Sequence, residues 1–205
     1  MNTRLLSLLI LITGLLYIFI IPNVFEQSTI IVVFKVIPML LIILYGLKIR
    51  ERGIRNLVMY GLIVCAIADV AIAYSFLAGL IIFLLGHLLY IPAFWKYRKH
   101  TTLKWPFIAI AIYMGSMGWI FGSTLIGTTE QGLVLPVFFY IIVIGLMGIV
   151  AIKTRNRLAI IGALFFILSD SILAWNKFVE PLSSSHILIM STYYAAQYCI
   201  ARSRL

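Results

Sequence analysis

The sequence predicts an all-α, polytopic membrane bundle of eight transmembrane helices, arranged as two parallel four-helix repeats with both termini in the cytoplasm. Three observations predict it. The 205 residues are 63% hydrophobic and 11% charged, whereas a soluble domain has roughly 45–50% apolar and about 25% charged residues. The apolar residues fall into runs near the ~20 that an α-helix needs to cross a bilayer. The basic residues collect in alternate connections between those runs, the pattern of cytoplasmic loops. Soluble globular classes are excluded on the first ground. The net charge of +10 does not indicate a nucleic-acid partner, because the bases sit in short loop clusters without an RNA- or DNA-binding pattern.

The first span is Leu5–Ile21. With Arg4 ahead of it the opening resembles a signal peptide, but Pro22 and Asn23 follow in place of a small-x-small cleavage site, so it reads as a retained helix. The second, Thr29–Leu47, carries Lys35 and Pro38. The third, Ile54–Tyr74, contains most of GLIVCAIADVAIAYSF (Gly61–Phe76), with Asp69 far from either end. A tight turn near Tyr74 and Ser75 leads to the fourth, Phe76–Trp95, where Gly79, Gly86, His87 and Tyr90 are spaced to share a face. The fifth is Trp105–Leu125 and the sixth Leu133–Ile152. The seventh, Leu158–Asn176, contains most of GALFFILSDSILAWNKF (Gly162–Phe178) and holds Asp170. The eighth, His186–Ala201, carries Met190, Tyr193, Tyr194 and Gln197. One integral membrane domain covers residues 1–205, with halves of about 1–100 and 101–205. Cys65 and Cys199 lie inside apolar helices and read as packing residues, since two cysteines cannot build a zinc site alone.

Alternate connections hold fourteen of the 16 lysines and arginines: Arg4; Lys48, Arg50, Arg52 and Arg55; Lys96, Arg98, Lys99 and Lys104; Lys153, Arg155 and Arg157; Arg202 and Arg204. These connections are assigned to the cytoplasm. The opposite ones hold Glu26, Glu130 and Glu180, with Lys177 as their base. The halves also echo each other. Asp69 follows Gly61 as Asp170 follows Gly162, and Val36-Ile37-Pro38 resembles Val134-Leu135-Pro136. The third and seventh spans both run outward, so the repeats are parallel, related by an axis along the membrane normal.

A charge near the bilayer centre costs at least ~2.5–3.5 kcal/mol on insertion scales, which makes an intramembrane acid a functional candidate. Asp69 lies 14 residues beyond Arg55, about 21 Å along a helix, and Asp170 lies 13 beyond Arg157, about 20 Å. Lys35 is 13 residues before Lys48, again about 20 Å deep, although it could also snorkel to the outer interface. Three ionisable groups at one level predict a shared cavity. Lys177 follows Asp170 by seven residues, on the same face and nearer the outer surface. Polar groups such as His87, Tyr90, Tyr193 and Gln197 also serve as interhelical hydrogen-bond glue. Trp95, Tyr97, Trp105 and Trp175 read as an interfacial belt. His100 falls in a loop and His186 near an interface, and neither is given a role.

On these residues the chain resembles the YhhN-like family of lysoplasmalogenases, or alkenylglycerophospholipid hydrolases. The resemblance is carried by Gly162–Phe178, by MSTYYAAQY (Met190–Tyr198), by Ala68-Asp69 ahead of GLIIFLLGHLLYI (Gly79–Ile91), and by Lys35 with Pro38. Family members more often have glycine where this chain has Ala68. The resemblance implies an integral membrane hydrolase that cleaves the vinyl ether of a lysoplasmalogen to a fatty aldehyde and a glycerophospho-alcohol. The expected setting is a bacterial plasma membrane, crossed several times. The hydrolase's partners would be the lysophospholipid and membrane lipid, with no cofactor and no metal.

Vinyl ether hydrolysis protonates an alkene carbon and then adds water to the oxocarbenium carbon. It calls for a general acid still protonated near neutrality and a second carboxylate to activate water and stabilise positive charge. Asp69 and Asp170 are the expected pair, with the roles open between them. Lys35 or Lys177 is expected to hold the phosphate, and His87, Tyr90, Tyr193 and Gln197 to orient water or substrate. Tyr140, Ser169 and Asn176 complete the expected substrate-binding set. The competing reading is a small proton-coupled transporter, since parallel repeats with midplane ionisable groups also describe carriers. A metal-dependent lipid amidase ranks third, because only His87 is placed suitably among the histidines.

Overall fold

The apolar runs do form helices, because in lipid every backbone polar group must be satisfied within the chain. The computed structural model describes residues 2–49, 56–100 and 104–203, among which no strand occurs. Arg50, Arg52, Arg55 and Arg204, used above to orient the bundle and gauge depth, lie outside the described residues, as does Ile54 at the start of the third predicted span.

Helix α1 (Thr3–Phe19) starts at Asn2, whose Oδ1 accepts from the Arg4 amide at 3.2 Å. A one-turn helix α2 (Ile21–Val24) follows, with Pro22 in its first turn. Helix α3 (Ser28–Ile49) contains Pro38. The Lys35 carbonyl, one turn before that proline, accepts from the Tyr194 hydroxyl at 2.7 Å. Helices α4 (Asn56–Tyr74) and α5 (Phe76–Trp95) are separated by Ser75 alone, whose Oγ caps α5 by accepting from the Ala78 amide at 3.3 Å. The tight turn stands where the sequence puts it.

In the second half, α6 (Trp105–Leu125) leads through a 3₁₀ turn (Gln131–Leu133) into α7 (Val134–Thr154), which ends at the left-handed Arg155, φ 56°. Helix α8 (Arg157–Phe178) is capped by Asn156, whose Oδ1 accepts from the amides of Leu158 and Ala159. Helix α9 (Ser185–Arg202) completes the bundle. Among the described residues seven helices are long and apolar enough to cross a membrane; α9 is not one of them, because Ser191, Thr192, Gln197 and its tyrosines dilute its apolar content.

Helix α5 packs on α4 and reaches across to α7, while α9 packs on α8 and reaches across to α3 and α1. The outward faces carry exposed apolar side chains such as Leu11, Leu44, Ile81, Ile142 and Leu164, a surface suited to lipid. One end of the bundle gathers the basic connections: the Lys99 amide donates to the Lys153 carbonyl at 2.7 Å, and Asn156 Nδ2 donates to the Ser203 carbonyl at 2.7 Å. At the other end Lys177 pairs with Glu130 and Trp175 Nε1 donates to Glu180.

Candidate active site

Asp69 is the fourteenth residue of α4, and Asp170 is the fourteenth of α8. Glycines let both helices approach their neighbours: a Cβ on Gly61 would strike the Tyr90 ring of α5, and one on Gly162 would lie 2.9 Å from the Ala196 carbonyl of α9. The acids are thereby drawn into the bundle between the two close helix pairs.

Asp69 is buried, 1% exposed. Lys35 Nζ of α3 is 3.1 Å from its Oδ1, and the Tyr193 hydroxyl of α9 donates to its Oδ2 at 2.6 Å. Asp170 is more open, its side chain 16% exposed. The Tyr140 hydroxyl of α7 donates to Asp170 Oδ2, and His87 Nε2 of α5 stands 3.6 Å from the same oxygen. His87 Nε2 and the Tyr140 hydroxyl are 2.9 Å apart. Each acid thus meets one group from the helix preceding its own and one from the last helix of the opposite half. One acid faces a cation and the other a tyrosine backed by a histidine.

A cavity of about 330 Å³ borders both acids, with Lys35, Ser169, Tyr193, Tyr17 and His186 also in its wall and Phe76, Phe83 and Ile189 among its apolar lining. Asp170 and Tyr140 further border a narrow apolar cavity of about 40 Å³, next to Met114, Met117 and Phe121. The site therefore pairs polar groups with an apolar surround, the usual make-up of a small-ligand site.

The substrate-binding set from the sequence divides in three. Lys35, Ser169 and Tyr193 line the larger cavity with the acids; Ser169 Oγ donates to the Ile189 carbonyl at 3.0 Å and so ties α8 to α9. Lys35 does not snorkel outward but turns to Asp69. His87 and Tyr140 stand behind Asp170. Tyr90 donates to Gln197 Oε1 at 2.8 Å, both fully buried, in an interhelical bond away from the cavity wall. At the outer end Asn176 Oδ1 accepts from the Leu182 amide at 2.8 Å and Lys177 is held by Glu130 at 2.8 Å, so neither lines the cavity. Sequence reasoning missed Tyr17 and His186. A tyrosine in a uniformly apolar first span gives no signal, whereas a histidine at the outer end of the last span, on the level toward which the acids open, was a usable one.

Residues 30–204 match the YhhN family. The chain belongs to the YhhN family. This family member is 32% identical over 177 residues to the Homo sapiens protein "Lysoplasmalogenase TMEM86B", an alignment covering 83% of this chain and 74% of that protein. It is 30% identical over 183 residues to the Mus musculus TMEM86B, covering 88% and 77%, and 31% identical over 157 residues to "Lysoplasmalogenase TMEM86A" of Homo sapiens, covering 70% and 62%. No solved structure matches this YhhN family chain.

Proposed function

We propose that the protein is an intramembrane hydrolase cleaving the vinyl ether bond of lysoplasmalogens, alkenylglycerophosphocholine or alkenylglycerophosphoethanolamine, to a fatty aldehyde and a glycerophospho-alcohol. The observation that carries it is the pair of aspartates on one cavity with unlike partners. Asp170, whose close partners are Tyr140 and His87, is the general acid that protonates the alkene carbon distal to the ether oxygen. Asp69, beside the Lys35 ammonium, stays a carboxylate; it stabilises the oxocarbenium ion and takes a proton from the attacking water. The hemiacetal then collapses: Asp69 returns its proton to the glycerol oxygen as Asp170 takes the hydroxyl proton, so the aldehyde is released with both acids restored and no net consumption of protons.

In this reading α9 is the eighth span, the halves 1–100 and 101–205 are parallel repeats, and the basic end with both termini faces the cytoplasm. The crossed partner arrangement of the two acids supports the repeat. The relatives above are mammalian; a bacterial plasma membrane is the setting assigned here. Their names point to a hydrolase and not to the carrier reading.

The test is product analysis by mass spectrometry after purified protein meets alkenyl and acyl lysophospholipids side by side. Aldehyde should appear from the alkenyl lipid alone, and Asp69→Asn and Asp170→Asn should abolish it while the protein still extracts as a monodisperse species. Full turnover by Asp170→Asn ends the two-aspartate mechanism.

A further inference from the structure

The reaction above uses the two acids and leaves the phosphate of the lysolipid unassigned. Of the two lysines considered for it, Lys177 is matched by Glu130 at the outer end. Lys35 lines the cavity, but Asp69 already matches its charge at 3.1 Å. A phosphodiester entering beside that ion pair needs another donor, because a buried anion is tolerated only when paired and hydrogen-bonded. His186 stands in the same wall. It is the second residue of α9, it lines the cavity with Lys35 and both acids, and Tyr17 of α1 packs against its ring at 5.3 Å between centroids. Its Nε2 is shielded from solvent and has no hydrogen-bond partner among the described residues. An orphaned buried nitrogen calls for a partner, and an acceptor oxygen of a molecule bound in this cavity is one that the position supports.

We infer that His186, with Lys35, forms the subsite for the phosphate diester of the lysolipid head group, with Tyr17 fixing the plane of the imidazole. The head group then occupies the Tyr17–His186 side of the cavity and the ether bond lies toward Asp170. His186 is a specificity residue in this arrangement. The inference rests on the hydrolase reading.

The experiment compares wild type and His186→Phe, which keeps a flat ring against Tyr17 but has no donor, on two substrates with the same chain, an alkenyl glycerophosphoethanolamine and the corresponding alkenyl glycerol without phosphate. Loss of a hydrogen bond to a charged group should lower the preference for the phosphorylated substrate, as a ratio of kcat/KM values, by about tenfold, mainly through its KM. His186→Lys, which keeps a donor, should recover most of the preference. An equal loss on both substrates, or an unchanged ratio, overturns the inference and leaves the hydrolase reading standing. A wild type that releases no aldehyde from either substrate refutes that reading and the inference with it. Should His186→Phe fail to fold, ¹⁵N-histidine spectra of the wild type decide, since the chain has only 3 histidines. The His186 signal should move on titration with glycerophosphoethanolamine. No movement overturns the subsite, and an equal response to inorganic phosphate alone overturns its assignment to a lipid head group.

Discussion

Lys35 is where the energetics of the site are most exposed to test. Its ammonium and the Asp69 carboxyl are both withdrawn from water, and deleting one partner of such a pair leaves an uncompensated charge at a cost of about 3–5 kcal/mol. Lys35→Met should therefore markedly lower the thermal midpoint of the extracted protein, and adding Asp69→Asn should recover most of the loss, although the double variant stays inactive. If the single variant melts like wild type, the pair carries no such load. The proposed mechanism predicts that the two tyrosines act on turnover. Tyr140→Phe and Tyr193→Phe each remove one hydroxyl from an acid; a hydrogen bond to a charged group is worth about 1.5–3 kcal/mol, and in the proposed reaction Asp69 bears its charge from the start while Asp170 gains one as it gives up its proton, so each variant should slow kcat by roughly 10- to 100-fold. Single-turnover rates at saturating substrate measure this. The acids and Lys35 were legible in the sequence because an ionisable residue in an apolar run is rare enough to carry information. That Tyr140 meets Asp170 and His186 meets Tyr17 was not legible, since which side chains meet across helices depends on rotation about each axis, and helices apolar on nearly all faces offer little periodicity to fix it.

At the scale of the element, the close pairs α4–α5 and α8–α9 fix where the acids point. A methyl group on Gly162 would meet the Ala196 carbonyl at 2.9 Å and the Ile200 amide nitrogen at 3.1 Å. These are backbone atoms and cannot yield as a side chain tip would. Gly162→Ala should cost about 1–3 kcal/mol through overpacking and shift α9, which carries Tyr193 to Asp69, so stability and kcat should fall together. Gly115→Ala on α6 is the control, because nothing lies within 4 Å of a Cβ there; it should be neutral in both thermal melts and turnover. Equal effects of the two substitutions would show that close packing at Gly162 is not what sets the helix pair. Among the described residues the helix boundaries were read from the sequence to within a few residues, since Pro22 and the turn at Ser75 are local signals. The 3₁₀ turn before α7 was missed, as nothing in Gln131–Leu133 sets it apart from loop.

For the molecule as a whole, the helix packing and the hydrogen bonds at the basic end imply an orientation that can be measured. The Lys99 amide reaches the Lys153 carbonyl and Asn156 reaches Ser203, so the connection after α5, the start of α8 and the end of α9 meet at one end of the bundle. Glu180 lies in the connection at the other end, close to Trp175. If α9 crosses the membrane and the positive-inside rule holds, single cysteines at Lys99 and Arg202, in a chain with Cys65 and Cys199 replaced, should resist a membrane-impermeant maleimide in intact cells and react after permeabilisation. A cysteine at Glu180 should react in intact cells. Labelling of Arg202→Cys together with Glu180→Cys would mean that α9 turns back, breaking both the eight-span count and the parallel repeat; labelling of Lys99→Cys and Arg202→Cys without Glu180→Cys would mean that the bundle is inverted. The first outcome would also reach the site, because Tyr193 and His186 come to the cavity from α9, and a helix that did not cross could not hold both ends of that contact at the depth of the two acids.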